Sequence, residues 1–367
     1  MFKRILFIFV VVITSWQCSN DLPVNAEWKD IAYVYGVLDP NLDTQFVRIG
    51  KAFLGDLPPA EMAGVSDSFY YDNIEVDMIA LNDDSVEQNR FRLSRIDLPG
   101  RMSDDGAFTT DDFHLYYTTE TIEEDLIYRL EINKPDGGPT VTSVTSIANW
   151  LNAQGNIFTR PGINLGLANA NREPLNPTIQ YTPANNASVY DVIVHIYYAE
   201  RPLNNPDAIE EKYISYRIPT NDITSSAIRG TLNGENFYAV LESNIPKDDN
   251  MLRFMRRIYF EAVVGGTDMR PYIEVNRPSP GIAQEKPLFT NVENGVGLFT
   301  SRNSRFATSG GTVNPQVRSH NLDERSINYL VMNRCDLNFV KTTTGDSCYC
   351  DNGTIVRLGN SVSNCSL

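Results

Sequence analysis

The chain has 367 residues, 42% of them hydrophobic and 21% charged, with a formal net charge of −15. That length and composition describe a globular protein with room for two domains and exclude a disordered or collagen-like chain. The acidic balance, with no basic stripe, excludes the counterion-displacing surface that nucleic-acid binding requires.

The first predicted element is a leader. Lys3 and Arg4 precede an uninterrupted apolar run, Ile5 to Ile13, followed by small and polar residues. This is the order of a secretory signal peptide. The run is too short to span a bilayer as a helix, which takes about 20 apolar residues. Cys18 stands where a bacterial lipoprotein signal ends, at a cysteine whose thiolate is alkylated by diacylglycerol and whose freed amine takes a further acyl chain. Two or more chains make a stable anchor. The competing reading is ordinary secretion, because Gln17 occupies a position that usually holds a small residue. Residues 1–17 are therefore expected to be a signal peptide, and residues 18–27 a lipid-anchored tether. Without Lys3 and Arg4, the only charges before Cys18, the mature chain carries −17.

Strand-like runs follow at short intervals. Ile31 to Leu38 and Gln45 to Phe53 flank an Asp-Pro-Asn turn, a hairpin signal. Further runs cover 73–81, 90–96, 113–120, 126–133 and 139–147, nearly all separated by Gly, Pro, Asp or Asn. Short alternating strands at this spacing predict an antiparallel β-sandwich of immunoglobulin or fibronectin type over residues 28–150. Residues 151–177, rich in Asn, Gly and Pro, read as a linker or long loop. A second β-rich domain is expected over 178–340. Its strands are 188–200, 211–219, 251–266 and 270–278; its short helices are 234–246 and 323–333, the latter capped by Asp323. The predicted fold class is mainly β, two sandwich-like domains, the second with one or two helices.

Cys335, Cys348, Cys350 and Cys365 all lie in the last 33 residues. In a secreted chain they predict two disulfides stapling a tail over 341–367, with three connectivities open. A four-thiolate zinc site is the weaker reading, since the spacing is C-x12-C-x-C-x14-C and zinc ribbons favour C-x2-C pairs.

Catalytic signatures are scarce. The three histidines, His114, His195 and His320, have no HExxH or HxH partner. His195 lies in a strand and reads as structural. No nucleophile elbow, P-loop or dinucleotide fingerprint occurs, so neither cofactor, metal nor catalytic residue is predicted. "DPNLDTQ" (39–45) begins like a calcium loop but has Thr44 where glycine is needed and Gly50 where the bidentate glutamate is needed, so it reads as a turn. Adjacent tyrosines, Tyr70–Tyr71, Tyr116–Tyr117 and Tyr197–Tyr198, would send one ring to each face of a strand. Tyr71, Tyr117 and Tyr198 are taken as candidate sugar-stacking rings, against the plainer reading of core and surface packing.

The stretch "PSPGIAQEKPLFTNVENGVGLFTSR" (278–302) is proline-rich and then places Gly295 and Gly297 two apart ahead of a final strand. It resembles the pattern "QxxPxYTNIxNGxGxFxSR" near the end of a family of uncharacterised Bacteroidota surface lipoproteins, with Phe289 for the Tyr and Val292 for the Ile. "VYGVLDPNLDTQFVRIGKAFLG" resembles the start of that family, so the likeness covers about residues 28 to 340. It implies a lipoprotein leader and a β-rich architecture but no activity. The expectation is a non-enzymatic binding or assembly module. It would be lipid-anchored at Cys18 to the bacterial outer membrane and surface-exposed, its partner an outer-membrane protein or an extracellular glycan. The alternatives are a glycan-binding lipoprotein of a polysaccharide-uptake system and a secreted hydrolase.

Overall fold

A computed structural model describes residues 31–52, 69–100, 113–135, 137–150, 164–205, 207–223, 227–277, 288–309, 316–341, 347–351 and 354–358. Cys18, the leader, the tether and most of the predicted linker lie outside these residues. No described helix is long and apolar enough to cross a membrane.

The chain is mainly β, as its alternation predicts. Strands β1 (Ile31–Leu38), β2 (Gln45–Ala52), β3 (Glu75–Leu81), β4 (Glu87–Arg92), β5 (Ser94–Leu98), β6 (Phe113–Thr118), β7 (Ile127–Asn133) and β8 (Val141–Ser146) make up the first half. The expected strand at 90–96 is two. At Leu93, 4% exposed, the chain leaves one sheet for another, so β4 and β5 belong to different layers. The second half contains β9 (Thr178–Tyr181), β10 (Ala187–Pro202), β11 (Glu210–Ile223), β12 (Ile228–Thr231), helix α1 (Gly234–Asn244), β13 (Met251–Gly266), helix α2 (Met269–Asn276), β14 (Val292–Glu293) and β15 (Gly295–Phe306). After these come the short pair β16 (Thr308–Ser309) and β17 (Gln316–Val317), helix α3 (Glu324–Asn333), and the hairpin β18 (Ser347–Asp351) and β19 (Thr354–Leu358).

One ten-stranded sheet, ordered β5-β6-β2-β1-β15-β13-β10-β11-β12-β9, runs through both halves. A five-stranded sheet, β14-β8-β7-β3-β4, covers part of one face. Val34, Leu38, Val47, Met78, Leu130, Ile132 and Phe299 fill the space between them. Over the other half, helices form the covering layer. Phe237, Tyr238 and Leu241 of α1 and Tyr329, Leu330 and Val331 of α3 pack on Val192, Val194, Ile196, Phe260 and Val264. The predicted helices are both present, and Asp323 caps α3 by accepting from the Ser326 N–H at 2.8 Å.

The predicted strand at 270–278 is helix α2. Pro271 falls in its first turn, where backbone N–H groups have no intrahelical acceptor and proline costs nothing. Ile273 and Val275 gave the segment its strand-like composition, but none of its residues is buried, so no pleated partner selects the extended form.

The "TNVENGVGLFTSR" segment joins the two layers. β14 pairs with β8 in the smaller sheet; Asn294, at φ 56°, turns the chain; β15 then runs parallel to β1 in the large one. Gly297 adopts φ 127°, and a Cβ there would overlap the Val34 carbonyl. Only glycine accepts both the conformation and the close approach of the two backbones. Apart from this parallel pair, all strand pairings in the two large sheets are antiparallel.

Candidate functional site

The register of the long sheet decides which side chains reach solvent. Along β10, Tyr190, Val192, Val194, Ile196 and Tyr198 point into the core, and Ile193, His195 and Tyr197 point the other way. On β13 the same alternation turns Arg257, Tyr259 and Glu261 outward. Tyr213, Ser215 and Arg217 do so on β11, as do Arg302, Ser304 and Phe306 on β15. Cross-strand pairing sets His195 beside Ser215 and Tyr259, Tyr197 beside Tyr213, and Glu261 beside Phe306.

The result is a run of rings across four strands. Tyr213 and Tyr197 stack with centroids 5.6 Å apart and planes 24° apart, and Tyr197 meets Tyr259 edge-on at 5.4 Å. Tyr259 meets Phe306 at 6.5 Å, and Phe306 lies 5.4 Å from the His195 ring. Tyr213 is 65% exposed and Phe306 38%. Tyr197, Arg257, Tyr259, Phe306 and Val317 line an open hollow of about 400 Å³. Farther along the same face, Tyr35, Val37 and Phe46 on β1 and β2 are also exposed.

Between the rings lie paired polar groups. His195 Nε2 is 2.9 Å from Glu261 Oε2, and His195 Nδ1 is 2.8 Å from Ser215 Oγ. The bond from His195 holds the Glu261 carboxyl below its ordinary range, against the opposing effect of burial. Arg257 donates to Glu211 at 3.3 Å, and Arg217 faces Asp191 at 2.7 Å. Burial raises the Asp191 carboxyl despite Arg217.

The outer face of the smaller sheet has another character. Arg90, Arg92 and Arg129 on β4 and β7 form an ion-pair ladder with Glu75, Asp77, Glu87 and Glu131. That ladder closes over Ile79, which is fully buried.

The tyrosines singled out from sequence are placed otherwise than expected. Tyr198, 4% exposed, and Tyr71, 7% exposed, are buried in the core and offer no ring to a ligand; each is corrected as a stacking candidate. Tyr117 is half-buried against Phe46, at 6.2 Å. The strand pairs do split as alternation requires, but in the 197–198 pair the outward ring is Tyr197. Sequence reasoning missed Tyr213, Tyr259 and Phe306, whose only signal was their outward phase on long strands. His195 is half-buried on the open face, hydrogen-bonded on both nitrogens.

Cys335 opens a 3-10 turn, Cys335–Leu337, and is not a free thiol. Cys348 and Cys350 are on β18, but their side chains, and all of Cys365, lie outside the described residues. Residues 39–42 form a turn in which the Leu42 N–H donates to the Asp39 carbonyl at 3.1 Å. The Asp39 carboxylate accepts from Asn41 at 3.0 Å. Among the described residues no cluster of three or more His, Cys, Asp or Glu is placed to hold a metal ion.

No family model matches the chain, and no curated protein does. Among solved structures it is similar to trypsin-activated alpha-2-macroglobulin from Escherichia coli, at 8% identity and a TM-score of 0.17, over 65% of this chain. It spans only 15% of that protein's length. It is also similar to CBD12 from CALX1.2, at 11% identity and a TM-score of 0.15, over 75% of this chain and 99% of that one. Neither likeness is close enough to carry an argument about fold or function.

Proposed function

We propose that this protein is a lipid-anchored surface protein of a bacterial outer membrane that binds a partner through the open face of its ten-stranded sheet. Cys18 is the anchor, the residues after it are a tether, and Cys335, Cys348, Cys350 and Cys365 form the disulfides of the tail. The supporting observation is the contrast between the two outer faces. One is closed by a ladder of ion pairs, and the other leaves Tyr213, Tyr197, Tyr259 and Phe306 in a continuous row. Contiguous apolar surface rimmed by polar groups is the ordinary mark of an interaction site.

A test joins two measurements on protein in its native envelope. Intact mass of the N-terminal peptide should show acyl chains on Cys18 that are absent in Cys18→Ala. Tyrosine-directed nitration should modify Tyr213 more slowly in the envelope than in purified protein, because a bound partner shields it. Unshielded Tyr213 in both settings would sink a partner resident in the envelope on this face; an unmodified terminus would sink the anchor.

The Ser215–His195–Glu261 contact favours a second reading, a hydrolase with serine as nucleophile. Ser215, however, stands mid-strand on a shallow surface, whereas acyl transfer needs oxyanion donors and a water-excluding cleft. Ester turnover or fluorophosphonate labelling abolished by Ser215→Ala would establish it; the expected result is neither.

A further inference from the structure

Resting on the binding reading above, we propose that the occupant of the open face is a neutral glycan chain. It lies across β11, β10, β13 and β15, with Tyr213 and Tyr197 as its stacking platform. A chain crossing the strands meets ring after ring, since Tyr213, Tyr197, Tyr259 and Phe306 stand on four adjacent strands with centroids 5.4 to 6.5 Å apart. Tyrosine rings offer broad apolar faces for the C–H face of a sugar and hydroxyls at their tips for its rim.

The polar groups between the rings suit hydroxyls. His195 with Glu261, Arg257 with Glu211, and Arg217 with Asp191 each set a donor beside an acceptor. A hydroxyl both donates and accepts, so it can join such a pair without breaking its charge balance. The same pairing argues against charged polymers. An anionic chain would have to displace Asp191, Glu211 and Glu261 from their partners while approaching a protein of net charge −15. A cationic chain would have to displace Arg217 and Arg257. The hollow beside Tyr197 is open, which fits a polymer passing over it better than a small molecule enclosed in it.

The test is affinity electrophoresis of the full chain in detergent, in gels carrying one polysaccharide each. Laminarin, xyloglucan, arabinoxylan, galactomannan and starch are the neutral probes; polygalacturonate and heparin are the acidic ones. Retardation by at least one neutral glycan is expected. Its affinity should drop about tenfold in Tyr213→Ala and in Tyr197→Ala, of the order of one lost aromatic stack. Tyr213→Phe should retain it, because the ring remains. Tyr213 is 65% exposed, so its truncation leaves the fold intact. The proposal is overturned by three outcomes: no retardation by any neutral probe, retardation by acidic probes alone, or retardation unchanged in both alanine variants. Shielding of Tyr213 in the envelope without glycan retardation overturns the glycan but leaves the binding face standing, its occupant then being a protein. Tyrosine-dependent retardation without shielding supports the glycan and removes the envelope partner.

Discussion

Arg253 is 1% exposed and fully engaged: Nε donates to Glu200 at 3.2 Å, and the other nitrogens donate to the carbonyls of Leu337 and Pro246 at 3.0 and 2.9 Å. Glu200 is also held by Lys212. Removing one member of a buried ion pair leaves the other charge without its counterpart, so Arg253→Ala should cost about 3–5 kcal/mol, read as a lower urea midpoint. A change below about 1 kcal/mol would show that the network is dispensable. Glu261 gives a pH prediction. Its folded pKa lies below the ordinary value of 4.5, so its stabilising contribution is present above that value and disappears as pH falls through the lower folded one. Glu261→Gln should therefore lose less stability between neutral pH and strong acid than the parent chain, in thermal melts taken across that range. Equal acid sensitivity would contradict the role given to the His195 bond. At this scale the sequence was only half legible. The pair Tyr197–Tyr198 announces that one ring faces out, but which one depends on the layer packed against β10. Tyr70 and Tyr71 precede β3 outside any strand, so alternation does not govern them, and both are buried.

Among elements, strands with long alternating runs were legible almost to the residue, as β1 and β13 show. Burial on one face writes period 2 into the sequence. Helix α2 was not legible, because an unburied segment carries no periodic signal and its Ile and Val pointed toward a strand. The arch from β14 to β15 was legible as a glycine turn but not as a bridge between two sheets, since nothing local records a partner as distant as β1. Two substitutions probe it. Phe299 is fully buried between the sheets, so Phe299→Ala should destabilise by about 3–5 kcal/mol. Gly297→Ala should destabilise by about 1–3 kcal/mol through strain at φ 127° and overlap with Val34. Denaturant titration of both variants measures these costs, and a neutral Gly297→Ala would mean that β1 and β15 separate without penalty.

At the scale of the whole molecule, the long sheet is one layer, and the second layer changes from sheet to helices along it. The sequence signalled two β-rich halves, and each half has its own packed cluster. It did not signal that a single sheet runs through both. That continuity comes from β15, which pairs with β1 on one side and β13 on the other. The candidate face was the least legible feature. Its rings come from β10, β11, β13 and β15, and only pairing brings them together.

The place of β15 has a consequence for how the chain matures. One of the two neighbours of β1 is made some 260 positions after it, so the early strands cannot finish their layer until the later part of the chain has been synthesised. Until Phe306 has emerged, β1 presents a bare hydrogen-bonding rim, the kind of edge that pairs with other chains. A truncation ending at residue 290 should therefore be recovered as aggregate or proteolytic fragments rather than as a soluble amino-terminal piece. Co-expression of residues 291–367 in the same compartment should not fully rescue it, because linkage in one chain keeps the two segments at high effective concentration. Resistance of the early strands to proteases therefore waits on the arrival of β15.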